Sequence, residues 1–457
     1  MSPTELSEQS TDRRWSSRLY FLFAAVGYAV GLGNVWRFPY LVGQHGGSAF
    51  VLLYLGMVVV IAIPILIAEL MVGRRGRGSA PVAMRTVAME GGRSERWALV
   101  GWLGLTATFL ILTFFSVITG WALAYLFKAA TGSLSKLDAA STTATFDSLL
   151  TDPATMMAWS AVVLAFCTFI VVRDLHEGLE KAMGILVPLL PILLLVLVVH
   201  SALTGDFSAA TAFLFRFDPS SLNGEAALAA LGQVFLSVGV GGAVWMTFGS
   251  YLPKSASLPG AACRIVAADT VVALLAGLAI FPVVFAHGLD PSSGPGLIFI
   301  TYPLALSGSP ASAFFSSVLF LLLVVIALTS IIGALEALTS AAVERLGIGR
   351  TSTGVGIGIA TWSLGLATVL SFNRWSGRRL PASFGRLGEK PPFEVLDYAT
   401  LHIMVPVSAL LVTIFVAWRI APAISKSELG LKSSVYQSWL WMLRVVVPLA
   451  LLSILVL

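Results

Sequence analysis

Eleven apolar runs, most of them at or beyond the ~20 residues a helix needs to cross a hydrocarbon core, divide this 457-residue chain from end to end. They fall at about 19–43, 48–73, 98–128, 156–172, 183–203, 226–251, 264–287, 312–342, 352–372, 397–418 and 437–457. Within a bilayer every backbone N–H and C=O must be satisfied inside the chain, so runs of this length become helices packed on helices. The expected fold class is therefore an all-α polytopic membrane protein. Composition agrees. Hydrophobic residues make up 57% of the chain and charged residues 11%, against roughly 25% charged in soluble domains. So few charges cannot clothe a water-facing surface, which excludes a soluble enzyme built around one long apolar core.

The charges sit in short loops, and their distribution gives an orientation. With the N-terminus inside, nineteen basic residues fall on the inner side, among them Arg13, Arg14, Arg18, Arg74, Arg75 and Arg77, and eight on the outer side. The positive-inside rule then places the N-terminus in and, with eleven spans, the C-terminus out. The loop from Arg374 to Lys390 runs against this rule. The net charge of +5 reads as topology and not as a nucleic-acid surface. The polar segment Met1 to Arg14 has no apolar core with a cleavage site, so no signal peptide is expected. Cys167 and Cys263 lie in or beside apolar runs and the five histidines are scattered; neither pattern suggests a disulfide framework or a His-based metal site. The glycines Gly354, Gly356 and Gly358 open an apolar helix with no strand before it, and read as helix packing.

Two runs carry glycines where a continuous helix would not. The first contains Ala29-Val-Gly-Leu-Gly-Asn34 and the sixth Gly239-Val-Gly-Gly-Ala243. Each glycine weakens a helix by about 1 kcal/mol relative to alanine, and close packing alone accounts for many such residues. Position adds weight. Runs one and six lead two possible five-helix repeats, and inverted-repeat transporters unwind helices at matched places near the midplane. An unwound backbone offers carbonyls to a cation and N–H groups to an anion, and is tolerated only where it lines a cavity. Ionisable residues inside the runs point the same way: Glu69, Asp269 and Glu336 within spans, Arg37 ending the first helix and Asp397 opening the tenth. Together they suggest a polar path.

The stretch Gly31-Leu-Gly-Asn-Val-Trp-Arg-Phe-Pro-Tyr40, followed by Gly46-Gly-Ser-Ala-Phe50, resembles the signature of the neurotransmitter:sodium symporter family. The resemblance continues through Gly120-Trp121, Glu180-Lys181, Gln233-Val-Phe-Leu-Ser237, Leu275-Ala-Gly-Leu-Ala-Ile-Phe-Pro282, Ala327-Leu-Thr-Ser330 and Asp397, and so covers nearly the whole chain. It implies the LeuT fold, with spans one to five and six to ten as inverted repeats and helices one and six broken. It is similar to the eleven-span prokaryotic branch. The implied division is a cytoplasmic N-terminal segment 1–18, a first repeat 19–203, a second repeat 226–418 and a last helix 437–457.

The resemblance implies two sodium sites. The second takes the carbonyls of Gly27, Val30 and Ile326 with the hydroxyls of Thr329 and Ser330, hard oxygen donors suited to a hard cation. The first takes Ala29, Asn34, Ser237 and Asp269. Family members usually carry Asn where this chain has Asp269. Chloride-dependent members hold chloride beside this site. Here Tyr54, Gln233 and Ser237 remain while the other serine position is Ala273, so the Asp269 carboxylate is expected to replace chloride. Gly31 stands where monoamine carriers have aspartate, which resembles the amino-acid carriers. The implied solute pocket comprises Tyr28, Ala29, Gly31, Gly33, Ile111, Phe115, Ile118, Leu236, Ser237, Gly239, Gly242, Ser330 and Ala334. A span-three tyrosine of the family is absent, because this chain has Phe114-Phe115, and Tyr28 is offered as its substitute. Leu236 and Gly242 replace two aromatic rings, so the pocket is expected to be roomier there and to favour a bulky, hydrophobic or aromatic amino acid. The outer gate matches at Arg37, Gln233 and Asp397. The inner gate matches at Trp15, Ser250, Tyr251 and Glu344, with Asp12 in register where the family has arginine and Arg13 and Arg14 beside it.

The function implied is sodium-coupled symport of an amino acid by alternating access across the plasma membrane, by a monomer or weak dimer in the lipid bilayer. No nucleic-acid partner and, since no bond is made or broken, no enzyme activity are expected. A sodium-coupled carrier of an osmolyte or amine is one alternative; a non-transporting solute sensor of the same fold is another.

Overall fold

The computed structural model describes residues 14–218, 221–292, 296–309, 311–381, 383 and 389–456. The first half comprises α1 (Arg18–Ala29), α2 (Gly33–Gln44), α3 (Ser48–Gly76), α4 (Ala80–Glu90), α5 (Ala98–Ala130), α6 (Ala139–Thr151), α7 (Pro153–Val171), α8 (Leu175–Thr204) and α9 (Phe207–Phe215). The second half comprises α10 (Gly224–Val238), α11 (Val244–Ser250), α12 (Leu258–Ala286), α13 (Leu297–Leu306), α14 (Ser312–Leu346), α15 (Arg350–Ser371), α16 (Pro392–Arg419), α17 (Pro422–Leu429) and α18 (Ser433–Ser453). No strand occurs among the described residues.

Among those residues, nine helices are long and apolar enough to cross a membrane, and α1 with α2, one span bent by 48°, makes a tenth. The pair α10–α11 stands where the sixth span is expected. Its halves have 15 and 7 residues, each too short to cross alone at about 1.5 Å per residue. The 35-residue α14 lies deepest, with 89% of its apolar window buried. It packs most extensively on α5, while α8 packs on α12 and α3 on α11. The remaining spans leave apolar side chains such as Ile185, Leu203 and Leu449 exposed at their outer faces, as helices facing lipid do. The two interrupted pairs are thereby held at the centre, between α5, α12, α14 and α16.

Candidate ion and solute site

The first break begins where α1 stops at Ala29. Val30 is extended (φ −69°, ψ 90°), and its N–H closes the last turn on Val26. Asn34 shapes the restart: its N–H donates to Gly31 O (3.0 Å), and its side-chain Oδ1 accepts from Gly31 N (3.2 Å). The first N–H groups of α2 have no partner inside the helix. Gly33, at that start, borders a cavity together with Leu32 and Gly31.

The second break is more strongly shaped. Gly239 ends α10 in the left-handed region (φ 69°), its N–H bonded to Phe235 O, and Gly241 (φ 85°) and Ala243 (φ 64°) follow in the same region. For alanine that conformation costs about 1–2 kcal/mol. The surroundings offset it by satisfying the exposed backbone. Glu69 Oε1 accepts from Gly241 N (3.1 Å), Thr108 Oγ1 donates to Gly242 O (2.7 Å), and Trp245 Nε1 donates to Val238 O (2.9 Å).

Between the breaks lies a buried polar cluster. Asp269 is fully buried. Its Oδ2 accepts from Ser237 Oγ (2.6 Å) and Tyr54 OH (3.2 Å), and its Oδ1 accepts from Asn34 Nδ2 (2.7 Å), which also donates to Asp269 O (3.0 Å). No basic side chain forms an ion pair with Asp269 among the described residues. Three of the four residues expected at the first ion site thus meet in one hydrogen-bonded knot, and Ala29 ends α1 beside it. Gln233, expected near Arg37, donates its amide to Gly33 O (3.0 Å), four residues before Arg37, and its Oε1 is buried without a partner.

Of the residues expected at the second ion site, Gly27, Ile326, Thr329 and Ser330 converge. Thr329 Oγ1 donates to Ile326 O (2.8 Å). Ser330 Oγ reaches both Ile326 O (3.2 Å) and Tyr28 O (3.3 Å), crossing from α14 to α1. Gly27 approaches so closely that a Cβ there would stand 3.2 Å from Thr329 Cβ and 2.7 Å from Val187 Cγ2.

The cavity holds about 100 Å³. Tyr28, Ala29, Gly31, Gly33, Ile111, Phe115, Leu236, Gly239, Gly242, Ser330 and Ala334 border it, as expected from the sequence. Ile118 does not; it is buried in the packing around Trp121 and Tyr125. Ser237 turns to Asp269. Leu32, Thr108, Leu112, Phe114, Phe235, Val240, Leu401 and Val405 join the lining. Helical spacing carried a signal for several of these: Thr108 lies three residues before Ile111, and Leu401 and Val405 lie four and eight after Asp397. Room expected beside Gly242 is already occupied, because a Cβ there would meet Thr108 Oγ1 at 2.8 Å and Tyr28 OH at 3.6 Å. The Tyr28 ring is wedged edge-on against Trp245 and Phe248.

At the outer gate, Arg37 and Asp397 act on each other electrostatically, but no direct ion pair joins them among the described residues. In the loop between α15 and α16, Arg378 stacks over Trp375 and Lys390 pairs with Glu394 at 3.8 Å; Arg386 lies outside the described residues. The residues expected at the inner gate are packed together. Trp15 is 6% exposed, donates from Nε1 to Phe248 O (3.2 Å) and from its backbone to Tyr251 O (3.3 Å), and packs against Phe21. Ser250 O accepts from Arg77 (3.1 Å). Glu344 accepts from Ser79 N (3.0 Å) and Ser79 Oγ. Asp12 and Arg13 lie outside the described residues, and Arg14 is exposed. An anchoring role that the matched motif Glu180-Lys181 did not reveal falls to Glu180, which accepts from Ser16 N (2.8 Å) and Ser16 Oγ (2.6 Å). A second falls to Glu336, bound to Arg350 and to Tyr251 OH (3.0 Å).

The family model described as Sodium:neurotransmitter symporter family matches residues 12–149 and 145–457. The sodium-dependent transporter YhdH of Bacillus subtilis is 34% identical over 98% of both chains. A sodium-dependent transporter of Haemophilus influenzae is 31% identical over 96% of both. Among solved structures, the crystal structure of MhsT in complex with L-phenylalanine matches with a TM-score of 0.88 and 34% identity, covering 97% of this chain and 99% of that one.

Proposed function

The chain belongs to the sodium:neurotransmitter symporter family, and from that premise we propose that it carries a hydrophobic amino acid inward with two sodium ions, independently of chloride. It is a sodium-dependent membrane transporter of a small molecule and not an enzyme, with the LeuT fold. The observation that carries the finer reading is the meeting of both helix breaks around one cavity, with a carboxylate buried beside it that has no basic partner among the described residues.

A fully buried, unpaired carboxylate is costly. A sodium ion at Ala29, Asn34, Ser237 and Asp269 would neutralise it. The Tyr54 and Ser237 hydroxyls, two of the groups expected around chloride, already donate to Asp269 Oδ2, which supports the carboxylate as chloride's replacement. A second sodium is assigned to Gly27, Val30, Ile326, Thr329 and Ser330, where the hydroxyls of α14 already bridge to α1. The substrate carboxylate would meet the first N–H groups of α2, beginning at Gly33, and the first sodium beside Gly31, with the Tyr28 hydroxyl as a further donor. Its side chain would lie among Ile111, Phe115, Leu236, Gly239, Gly242 and Ala334. In the closed arrangement described here the space is smaller than the ~150 Å³ hole that admits benzene. A hydrophobic amino acid, aliphatic or aromatic, is larger than benzene, so Leu236 and its neighbours must yield to admit one. L-phenylalanine in the MhsT structure favours an amino acid over an osmolyte or amine.

In this reading sodium orders the two breaks and stabilises an outward-facing state. Solute then draws Arg37 and Asp397 together, and loss of the second sodium frees the N-terminal segment inward. Coupling is the differential affinity of the ligands for these states. The reading places the N-terminus in the cytoplasm, the C-terminus outside, and eleven spans in the plasma membrane. Reconstituted protein should accumulate a labelled hydrophobic amino acid only under an inward sodium gradient, and Thr329→Ala with Ser330→Ala should abolish this. Binding without accumulation would favour a sensor. Loss of uptake when gluconate replaces chloride would overturn chloride independence.

A further inference from the structure

We propose that Thr108 sets how large a side chain the pocket admits, standing where the α10–α11 linker would otherwise carry one at Gly242; this rests on the cavity being the solute site. Gly242 lies outside the left-handed region, so its backbone would accept a side chain. What excludes one is space. A Cβ at Gly242 would approach Thr108 Oγ1 to 2.8 Å, closer than packed atoms come. Thr108 cannot simply swing aside. It is 5% exposed, and its hydroxyl is committed to Gly242 O at 2.7 Å. Its branched Cβ also leaves few rotamers.

Both residues border the cavity together with Tyr28, whose hydroxyl would stand 3.6 Å from the same Cβ. This wall is therefore a rigid, hydrogen-bonded contact between α5 and the unwound linker. The facing side chains, Leu236 and Leu401, are unbranched at Cβ and apolar, and can repack. A substrate side chain that outgrows the pocket can displace the leucines but not Thr108. Residue 108 and residue 242 form one size-setting pair, split across two elements.

The test is sodium-dependent displacement of tritiated leucine from the reconstituted full chain by valine, leucine, phenylalanine and tryptophan. Thr108→Ala should raise phenylalanine and tryptophan relative to valine by about tenfold, the scale at which an apolar pocket discriminates one or two carbons. Thr108→Val keeps the volume but removes the donor, so it should weaken all four competitors together and preserve their order. Gly242→Ala should penalise the larger competitors, and the double variant Thr108→Ala, Gly242→Ala should restore them. Thr108→Ser gives the same direction as Thr108→Ala in smaller measure and serves if Thr108→Ala does not fold. An unchanged order in both smaller variants overturns the proposal, as does a Thr108→Val shift as large as that of Thr108→Ala. If no amino acid displaces leucine from the wild type, the solute-site reading itself falls. If the wild type discriminates but the variants do not change the order, only the size-setting role falls.

Discussion

A carboxylate buried without a basic partner leaves its charge to be balanced by something that comes and goes. Asp269 accepts three side-chain hydrogen bonds, from Ser237, Tyr54 and Asn34, enough to hold it in place but not to neutralise it. Asp269→Asn keeps the shape and removes the charge. Uptake by that variant in chloride-free buffer should fall at least about tenfold, and added chloride should restore part of it. A variant that is equally inactive with and without chloride would count against the carboxylate standing in for the anion. Tyr28 makes the second prediction at this scale. Its hydroxyl has no hydrogen bond among the described residues and opens on the cavity, so a bond to a substrate carboxylate would be charge-assisted, worth about 1.5–3 kcal/mol. Tyr28→Phe should weaken substrate binding by roughly tenfold or more by that estimate, measured by equilibrium binding in saturating sodium; unchanged affinity would remove Tyr28 from the carboxylate's partners. Asp269 was legible in the sequence because a charge in an apolar run is conspicuous. For Thr108 helical spacing from Ile111 marked only a place on the cavity face; its bond to Gly242 O was not legible, because a threonine in a membrane helix usually satisfies itself on its own backbone, and nothing local marks one that reaches across to another element.

At the scale of elements, the glycine runs foretold both interruptions but not how differently each is built. Gly31 is unstrained: a Cβ there would find its nearest neighbour, Ser330 Oγ, at 3.5 Å. Gly241 has φ 85°, and a Cβ there would lie 2.6 Å from Val405 O of α16. Gly31→Ala should therefore retain folding and most sodium affinity. Gly241→Ala should push the linker off α16, loosen the Glu69 contact, and lower the thermal unfolding midpoint while abolishing uptake. Equal midpoints for the two variants would contradict this account. Proline gave a further signal that the sequence reading did not use. Seven stretches of these helices widen to i→i+5 turns, and five of them end two residues before Pro39, Pro64, Pro303, Pro406 or Pro448. In each case the residue four before the proline lies inside the widened turn, where the ring would collide with its carbonyl and no N–H is available to bind it. Widening the turn relieves both. One such stretch, Tyr398–Met404, contains Leu401 and thus shapes the cavity wall.

Taken as a whole, the molecule is closed on one side and unlatched on the other. The side carrying Trp15 is sealed by the indole bond to Phe248 O, by Ser16 on Glu180, and by Tyr251 on Glu336, which Arg350 also holds. On the opposite side Arg37 and Asp397 attract each other without touching. The resemblance matched Trp15, Ser250, Tyr251 and Glu344 to the inner gate without pairing Glu344 to a particular arginine. The anchoring is spread over Glu180, Glu336 and Glu344, and the pairs Ser16–Glu180 and Ser79–Glu344 join residues more than 160 apart in the chain, which no local pattern reports. This asymmetry makes Trp15 the strongest lever on the equilibrium between facing states. Removing a buried indole costs about 3–5 kcal/mol in a packed core, and Trp15 loses that packing only if the N-terminal segment lifts. Trp15→Ala should therefore destabilise the inward-closed state selectively and raise the inward-open fraction by at least about a hundredfold relative to it. A cysteine at Ser250, introduced with Cys263→Ser so that the exposed native thiol does not compete, reports the change. In the Trp15→Ala background its labelling by a membrane-impermeant maleimide, applied to the cytoplasmic face in inside-out vesicles, should accelerate at least tenfold. Sodium should slow it, because the ion favours the opposite state, and Thr329→Ala should remove that protection. A labelling rate unaffected by Trp15→Ala would mean that Glu180 and Glu336 hold the inner side closed without the tryptophan.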